Sequence, residues 1–262
     1  MLQSAVPSQP IPAVKAKPRG ATVTPITAHA AQVVACSSCC LRNACLPGGL
    51  GGAEIGRFSE ITTAKRKVNR GASLYAIGSV FEFLYAVRSG AFKTVGVSRN
   101  GDEKITGFYL PGEILGLDAI SNGSHSFNAV ALEDSEVCAI PFQRLEQLAM
   151  TIPALQRQLL RLLSSDISRD QGLMLLLGSM TAEQRVAAFL LSLARRHERL
   201  GFSSSHFVLR MTREEIGNYL GLTLETVSRL MSRFQREDFI AVRQREVEIK
   251  DADGLREMVG HW

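Results

Sequence analysis

The stretch TREEIGNYLGLTLETVSRLMSRF, Thr212–Phe234, decides how the C-terminal third of this chain folds. Thr212 and Glu215 have the spacing of a capping box, in which the two side chains satisfy each other's free backbone N–H groups at a helix start. Ile216 and Leu220 lie four apart and give that short helix one apolar face. Gly221 supplies a tight turn, because glycine alone enters left-handed backbone at no steric cost. Thr223 is a second N-cap, with Leu222 before it and Val227 four residues after it, the positions of a hydrophobic staple. Leu230, Met231 and Phe234 continue the buried face. Two short capped helices joined at a glycine describe a helix-turn-helix. The first turns of its second helix carry Glu225, Thr226, Ser228 and Arg229, residue types that read base edges in the major groove. Beyond it, Ile240–Val242 and Val247–Ile249 flank Arg243-Gln244-Arg245-Glu246, a β-wing with basic residues at its tip.

Working back from this unit, Thr181 and Gln184 form another capping box, opening a helix through Arg199. Before that lies a proline-free run, Leu155–Leu177, in which Leu163, Ile167, Asp170, Met174 and Leu177 are spaced 4, 3, 4 and 3. This is the spacing of a coiled-coil seam with one charge in it, and it predicts a dimerisation helix over 151–180. The other reading of the same pattern is a core helix packed on its own domain. Residues 56–142 hold short β-type runs, such as Phe83–Val87, Ala91–Val97 and Glu136–Ile140. Ser89-Gly90 and Asn100-Gly101 punctuate them, and Asn-Gly between alternating runs signals a hairpin. The region reads as a small antiparallel barrel or jelly roll.

Four of the five cysteines fall within Cys36-Ser-Ser-Cys39-Cys40-Leu-Arg-Asn-Ala-Cys45. Such a tight thiol cluster points to a metal or redox site rather than to a disulfide framework. The loop offers three well-spaced thiolates, with Cys40 crowded against Cys39, and Cys138 is the remaining candidate for a fourth ligand. Zinc and an iron–sulfur cubane both accept four thiolates, and spacing alone does not separate them. A thiol oxidoreductase built on Cys36-Ser-Ser-Cys39 would need a helix start in a βαβ setting, which does not precede it. No Ser/His/Asp set or carboxylate pair suggests catalysis.

The chain has 262 residues and is 45% hydrophobic, with no apolar run of membrane-spanning length and no secretory signal pattern. A cytoplasmic location without membrane attachment is the expectation. Residues 1–32, rich in Pro, Ala, Ser and Thr, read as a disordered leader, with an organelle-targeting arm as the alternative. The net charge of +5 says little about nucleic acid, because the first 53 residues carry four basic residues and no acid. The stretch 181–245 holds 11 basic and 7 acidic residues, a local bias that phosphate contacts could use.

These residues together resemble a known family. The order of cysteine loop, β-roll, long helix and winged helix-turn-helix is similar to FNR, the oxygen-sensing branch of the CRP/FNR regulators, over about residues 33–260. The likeness is carried by Leu84-Tyr-Ala-Val-Arg-Ser-Gly90, Gly101-Asp-Glu-Lys-Ile-Thr-Gly107, Ile216-Gly-Asn-Tyr-Leu-Gly-Leu222 and Glu225-Thr-Val-Ser-Arg229. It implies an α+β chain with a cyclic-nucleotide-binding-like jelly roll and sensor domain over 33–150, and a winged DNA-binding domain over 181–262. It further implies a 4Fe–4S cluster on Cys36, Cys39, Cys45 and Cys138 that oxygen converts to a 2Fe–2S form. The homodimer then separates, with Ile167, Asp170 and Met174 at the switch. A palindromic TTGAT-like half-site read by Glu225, Ser228 and Arg229 follows from the same resemblance, as do RNA polymerase contacts from exposed β-roll and winged-domain loops. The alternative within the family is a cyclic-nucleotide receptor like CRP, which Pro111-Gly-Glu-Ile-Leu-Gly116 suggests. Its phosphate-pairing Arg should fall near 125, where Gly123-Ser-His-Ser-Phe127 stands, and Leu224 replaces the Arg before the reading Glu. His125 is expected to be a loop residue and not a ligand. Two departures from FNR are Cys40, where a Ser is common, and Ala44, where a bulkier Leu is often found.

Overall fold

The structure, a computed structural model, describes residues 36–62 and 65–260, so the leader assigned to 1–32 lies outside the described residues. The cysteine loop opens with a short 3-10 turn, Cys36–Ser38, and ends at helix α1, Gly52–Ile61. That helix was not apparent from the sequence, because Gly52 and Gly56 are poor helix formers. Glu54 reaches back to accept the Gly51 N–H at 2.8 Å, and Ile55 and Phe58 are buried beneath it. Tertiary contact thus overrides propensity.

Eight strands follow: β1 Lys65–Val68, β2 Ser73–Tyr75, β3 Phe83–Ser89, β4 Phe92–Val97, β5 Glu103–Tyr109, β6 Ile114–Leu115, β7 Asn128–Ala131 and β8 Ser135–Pro141. They form two four-stranded antiparallel sheets, ordered β1-β8-β3-β6 and β2-β7-β4-β5. Alternating side chains from both sheets, including Leu74, Val87, Phe92, Leu115 and Val137, meet between them. Each such fully buried side chain contributes about 1.5–3 kcal/mol of transfer free energy.

Helix α2, Phe142–Thr151, runs into α3, Pro153–Ser179, with only Ile152 between. Pro153 suits the first helical position, where no N–H is needed. The 27 residues of α3 make a rod of about 40 Å. One face packs on its own chain, where Leu155 and Leu176 are buried and Leu159, Leu162 and Leu173 lie against the cores. The opposite face carries the heptad stripe, with Ile167 and Met174 exposed at 58% and 73% and Asp170 exposed between them. The inward face thus packs on its own chain, while Leu163 is half-buried and Leu177 lies against the core.

Helix α4, Ala182–Arg199, starts with both capping-box bonds between Thr181 and Gln184, at 3.0 and 3.3 Å. Then come β9 His206–Val208, α5 Arg213–Leu220, α6 Leu224–Arg236, β10 Ile240–Arg243, β11 Glu246–Ile249 and α7 Ala252–Val259. The wing hairpin gains β9 as a third strand, in the order β10-β11-β9. The fold is α+β: a jelly roll, a long helix and a winged helix-turn-helix.

Arg196 of α4 ties the last of these to the first. Its Nε and Nη2 donate to the two Glu113 carboxylate oxygens at 2.8 and 2.5 Å, and Nη2 also donates to the Phe108 carbonyl at 2.6 Å. Burial pushes the Glu113 carboxyl up, but the Arg196 charge and hydrogen bonds outweigh it and hold the group below its ordinary value. Arg196→Met should cost about 2–3 kcal/mol, less than a wholly buried pair because Glu113 is 26% exposed. A depressed carboxyl stabilises above its unfolded value of 4.5 and loses that contribution as pH falls. Urea unfolding should therefore separate wild type from Arg196→Met at pH 7 and bring the two together as pH drops below about 4. An undiminished gap in acid would contradict the assignment.

Candidate sensor centre and nucleic-acid interface

Cys138 sits in β8, a central strand paired on both sides, opposite Lys65 of β1 and Ala86 of β3. Period-two alternation sends its neighbours Val137 and Ala139 into the space between the sheets. Cys138 therefore points out of the other face of its sheet, where it packs with Cys36, Cys45, Leu46, Ile55, Phe58 and Ile140. The cysteine loop folds over this face, so a residue about a hundred positions away joins the three loop thiols. The proximity shows in their ionisation: negative charge on Cys36 and Cys39 disfavours charge on both Cys45 and Cys138. Desolvation is the larger effect, pushing Cys45 far up, Cys138 to about 11, and Cys36 up as well. Cys40 is exposed and stands apart from this packing.

Three surrounding groups were not visible in the pattern of the sequence. Arg88 of β3 lies beside Cys138 and Cys36, where its charge favours their thiolates, and also pairs with Glu136 at 3.0 Å. Ser59 of α1 accepts the Cys36 backbone N–H at 3.2 Å. Gln158 of α3 donates to the Cys45 carbonyl at 3.3 Å, a direct link from the loop to the long helix. Ala44 lines a cavity of about 340 Å³ between the loop, the β-roll, α3 and α4, together with Asn43, Glu113 and Arg169. Gly112, at φ 84°, lets the loop approach closely, since a Cβ there would stand 3.0 Å from the Ala44 Cβ. Among the described residues, no three His, Cys, Asp or Glu side chains are drawn together tightly enough to hold a single ion.

Helices α5 and α6 are built as their sequence demands. Thr212 and Glu215 make both capping-box bonds of α5, at 3.1 and 2.8 Å, and Gly221 turns the chain at φ 66°. Thr223 accepts the Thr226 N–H at 3.2 Å and so caps α6. Val227, Leu230, Met231 and Phe234 face the core, while Glu225 and Arg229, one turn apart, are exposed. Ser228 is half-buried at the edge of this face. Glu225 is held below the ordinary carboxylate value by its own backbone N–H and by the Thr223 hydroxyl, so it is an ionised acceptor. Thr226 is half-buried, and its hydroxyl meets the Thr223 hydroxyl at 3.1 Å. Arg213 takes the first position of α5. Its Nη1 is buried without a hydrogen-bond partner among the described residues, on the helix that crosses the phosphate backbone in such folds.

The nucleotide-receptor alternative fares poorly against this geometry. His125 lies in a loop, as expected, but is buried, stacked on Tyr75 at 3.7 Å and edge-on to Phe81. Glu113, in the cassette-like segment, already has both carboxylate oxygens engaged by Arg196.

Residues 65–151 match the cyclic nucleotide-binding domain family and residues 184–258 the Crp-like helix-turn-helix domain family. The transcriptional regulatory protein Btr of Bordetella pertussis is 46% identical over 242 residues, covering 92% of this chain and 98% of its own. The chain belongs to the CRP/FNR family. The fumarate and nitrate reduction regulatory protein of Escherichia coli is 43% identical over 226 residues, covering 86% of this chain and 90% of its own. Among solved structures, FixK2 of Bradyrhizobium japonicum superposes with a TM-score of 0.70 at 30% identity, over 76% of this chain and 98% of that one. Like other CRP/FNR regulators, this chain is a DNA-binding transcription regulator and not an enzyme. Among the described residues, no helix is long and apolar enough to cross a membrane.

Proposed function

We propose that this protein is an oxygen-responsive transcription regulator that binds a palindromic TTGAT-like site as a homodimer when Cys36, Cys39, Cys45 and Cys138 hold a 4Fe–4S cluster. The observation that carries this reading is that Cys36, Cys45 and Cys138 share one apolar cluster at the base of α3, with Cys39 near enough for its charge to act on Cys45 and Cys138. When bound to the four thiolates, the cluster would supply an oxygen-labile iron–sulfur core. The chain's own residues do the rest. Arg88 offsets the negative charge of the thiolates, and Leu46, Ile55 and Phe58 exclude water. Gln158 and the shared core with Leu155 and Leu159 pass a change in the loop to α3.

In this reading residues 33–150 sense, 151–180 dimerise through Ile167, Asp170 and Met174, and 181–262 bind DNA. The protein works in the cytoplasm, and loops of the β-roll and winged domain meet RNA polymerase. Arg229 donates to guanine and Glu225 accepts from cytosine. Arg229→Ala should cost about 1–3 kcal/mol on the palindrome and relax preference at one guanine, read by fluorescence anisotropy on single-base variants of the site. Uniform weakening at every position would instead make Arg229 a phosphate contact. The test of the whole reading is the visible spectrum and metal content of protein purified without oxygen, then exposed to air. A brown chromophore with iron and sulfide that fades in air is expected. Colourless protein containing zinc would overturn it.

A further inference from the structure

The winged domain is not free of the β-roll. Strand β5 is the outer strand of the sheet β2-β7-β4-β5, so its outward backbone groups lack a neighbouring strand. Asn218 of α5 takes that place. Its Oδ1 accepts the Ile105 N–H at 2.7 Å and its Nδ2 donates to the Glu103 carbonyl at 3.0 Å, as a strand's peptide group would. A bulge at Thr106, where the β4–β5 register shifts, lies beside this contact and re-aims the edge. A carboxamide offers its donor and its acceptor on separate atoms, as a peptide group does. The contact is reinforced on either side. Lys104 donates to the Asn218 backbone carbonyl, and Lys93 pairs with Glu215 at 2.8 Å where both are largely shielded. Phe108 of β5 packs on Tyr219 at 5.0 Å between ring centres, and Arg210 pairs with Glu133 at 2.6 Å.

This docking leaves the reading face open: Glu225, Ser232, Arg233 and Arg236 remain exposed along with Arg229. It orients the recognition helix rather than covering it. A dimer must present two such helices at a separation matched to its half-sites, so their angle to the dimer helix matters as much as their side chains.

We infer that Asn218, by bonding the edge of β5, fixes the recognition helix relative to α3 and so sets the half-site spacing that the protein accepts. The inference rests on the dimeric, palindrome-binding reading above. Each base pair added between half-sites moves one of them about 3.4 Å along and about 35° around the duplex, a change that a rigid domain pair resists and a loosened pair tolerates.

The test uses the full-length anaerobic protein and a series of TTGAT palindromes whose centre-to-centre distance steps by one base pair. Wild type should prefer its best spacing at least tenfold over the adjacent ones. Asn218→Ala, whose alanine favours the helix, and Asn218→Asp, which loses the donor and sets a charge against the Glu103 carbonyl, should both narrow this to threefold or less. Their preference for TTGAT over a scrambled half-site and their unfolding midpoints should stay as in wild type, which a merely structural role would not allow. Lys93→Met and Lys104→Met, made on the β-roll side, should narrow it in the same direction without touching the helix-turn-helix. Wild type that binds no palindrome overturns the dimeric reading and this inference with it. Wild type that selects one spacing, with variants that select it equally well, overturns this inference alone.

Discussion

Replacing Cys138 by serine is expected to abolish the brown chromophore of anaerobically purified protein and its specific DNA binding with it. Serine nearly matches the size of cysteine, and β8 keeps its pairing with β1 and β3, so the scaffold is left intact. What is lost is a soft thiolate, the one member of the set that anchors the loop to a rigid central strand. Substitution of residues merely supporting a metal ligand commonly costs 10–100-fold in affinity, so loss of a ligand should exceed about 100-fold. Cys40→Ser should leave the spectrum unchanged, because that thiol is exposed and outside the packed set. Visible absorption with iron and sulfide assays on the three proteins decides the matter. A full four-iron spectrum from Cys138→Ser would remove Cys138 from the ligand set.

The second large effect is expected at Asp170. The outward stripe of α3 brings Leu160, Ile167 and Met174 to the surface at 59%, 58% and 73% exposure, a face whose burial against a second copy would favour association. Asp170 interrupts it. Burial already pushes this carboxyl up, although Arg169 beside it pulls the other way. In a symmetric parallel pair the two Asp170 side chains would approach each other, lose hydration and repel, opposing association by about 1 kcal/mol or more. An interface so near balance can be tipped by a modest change transmitted from the cysteine loop through Gln158 and the shared core. Asp170→Ala should therefore dimerise, and bind its DNA site, even after exposure to air. Sedimentation of air-exposed wild type and variant at equal concentration should show monomer and dimer respectively. Two monomers, or two dimers, would refute the balance.

The C-terminal unit was the most legible part of the chain, because capping and turn chemistry is local. Thr212, Glu215, Gly221 and Thr223 declare their geometry within a few residues, and each makes the bond its position calls for. The β4–β5 hairpin at Asn100-Gly101 was legible for the same reason, whereas Ser89-Gly90 carries the chain from one sheet to the other. Helices α1 and α7 and strand β9 escaped notice because they are short and owe their existence to partners elsewhere: β9 to β11, and α7 to packing on α4. At the cysteine site the thiols could be named, but not what surrounds them. Arg88 and Gln158 act through positions that only the folded chain brings near, 50 and 113 residues from Cys138 and Cys45. Asn218 lay in plain view inside a family-like run, yet its partner is a strand edge 113 residues away. That the Thr226 hydroxyl also meets the Thr223 hydroxyl at the helix cap could not be read from residue type.

The central claim is that one iron–sulfur site governs DNA affinity. It is tested most directly by following both quantities in one sample. Anaerobic protein on a fluorescent TTGAT palindrome is titrated with small volumes of air-saturated buffer, while cluster absorbance and anisotropy are recorded together. Loss of anisotropy in step with loss of absorbance, with the Asp170→Ala protein bleaching but staying bound, is the predicted result. Wild type that bleaches fully and keeps its affinity would contradict the account.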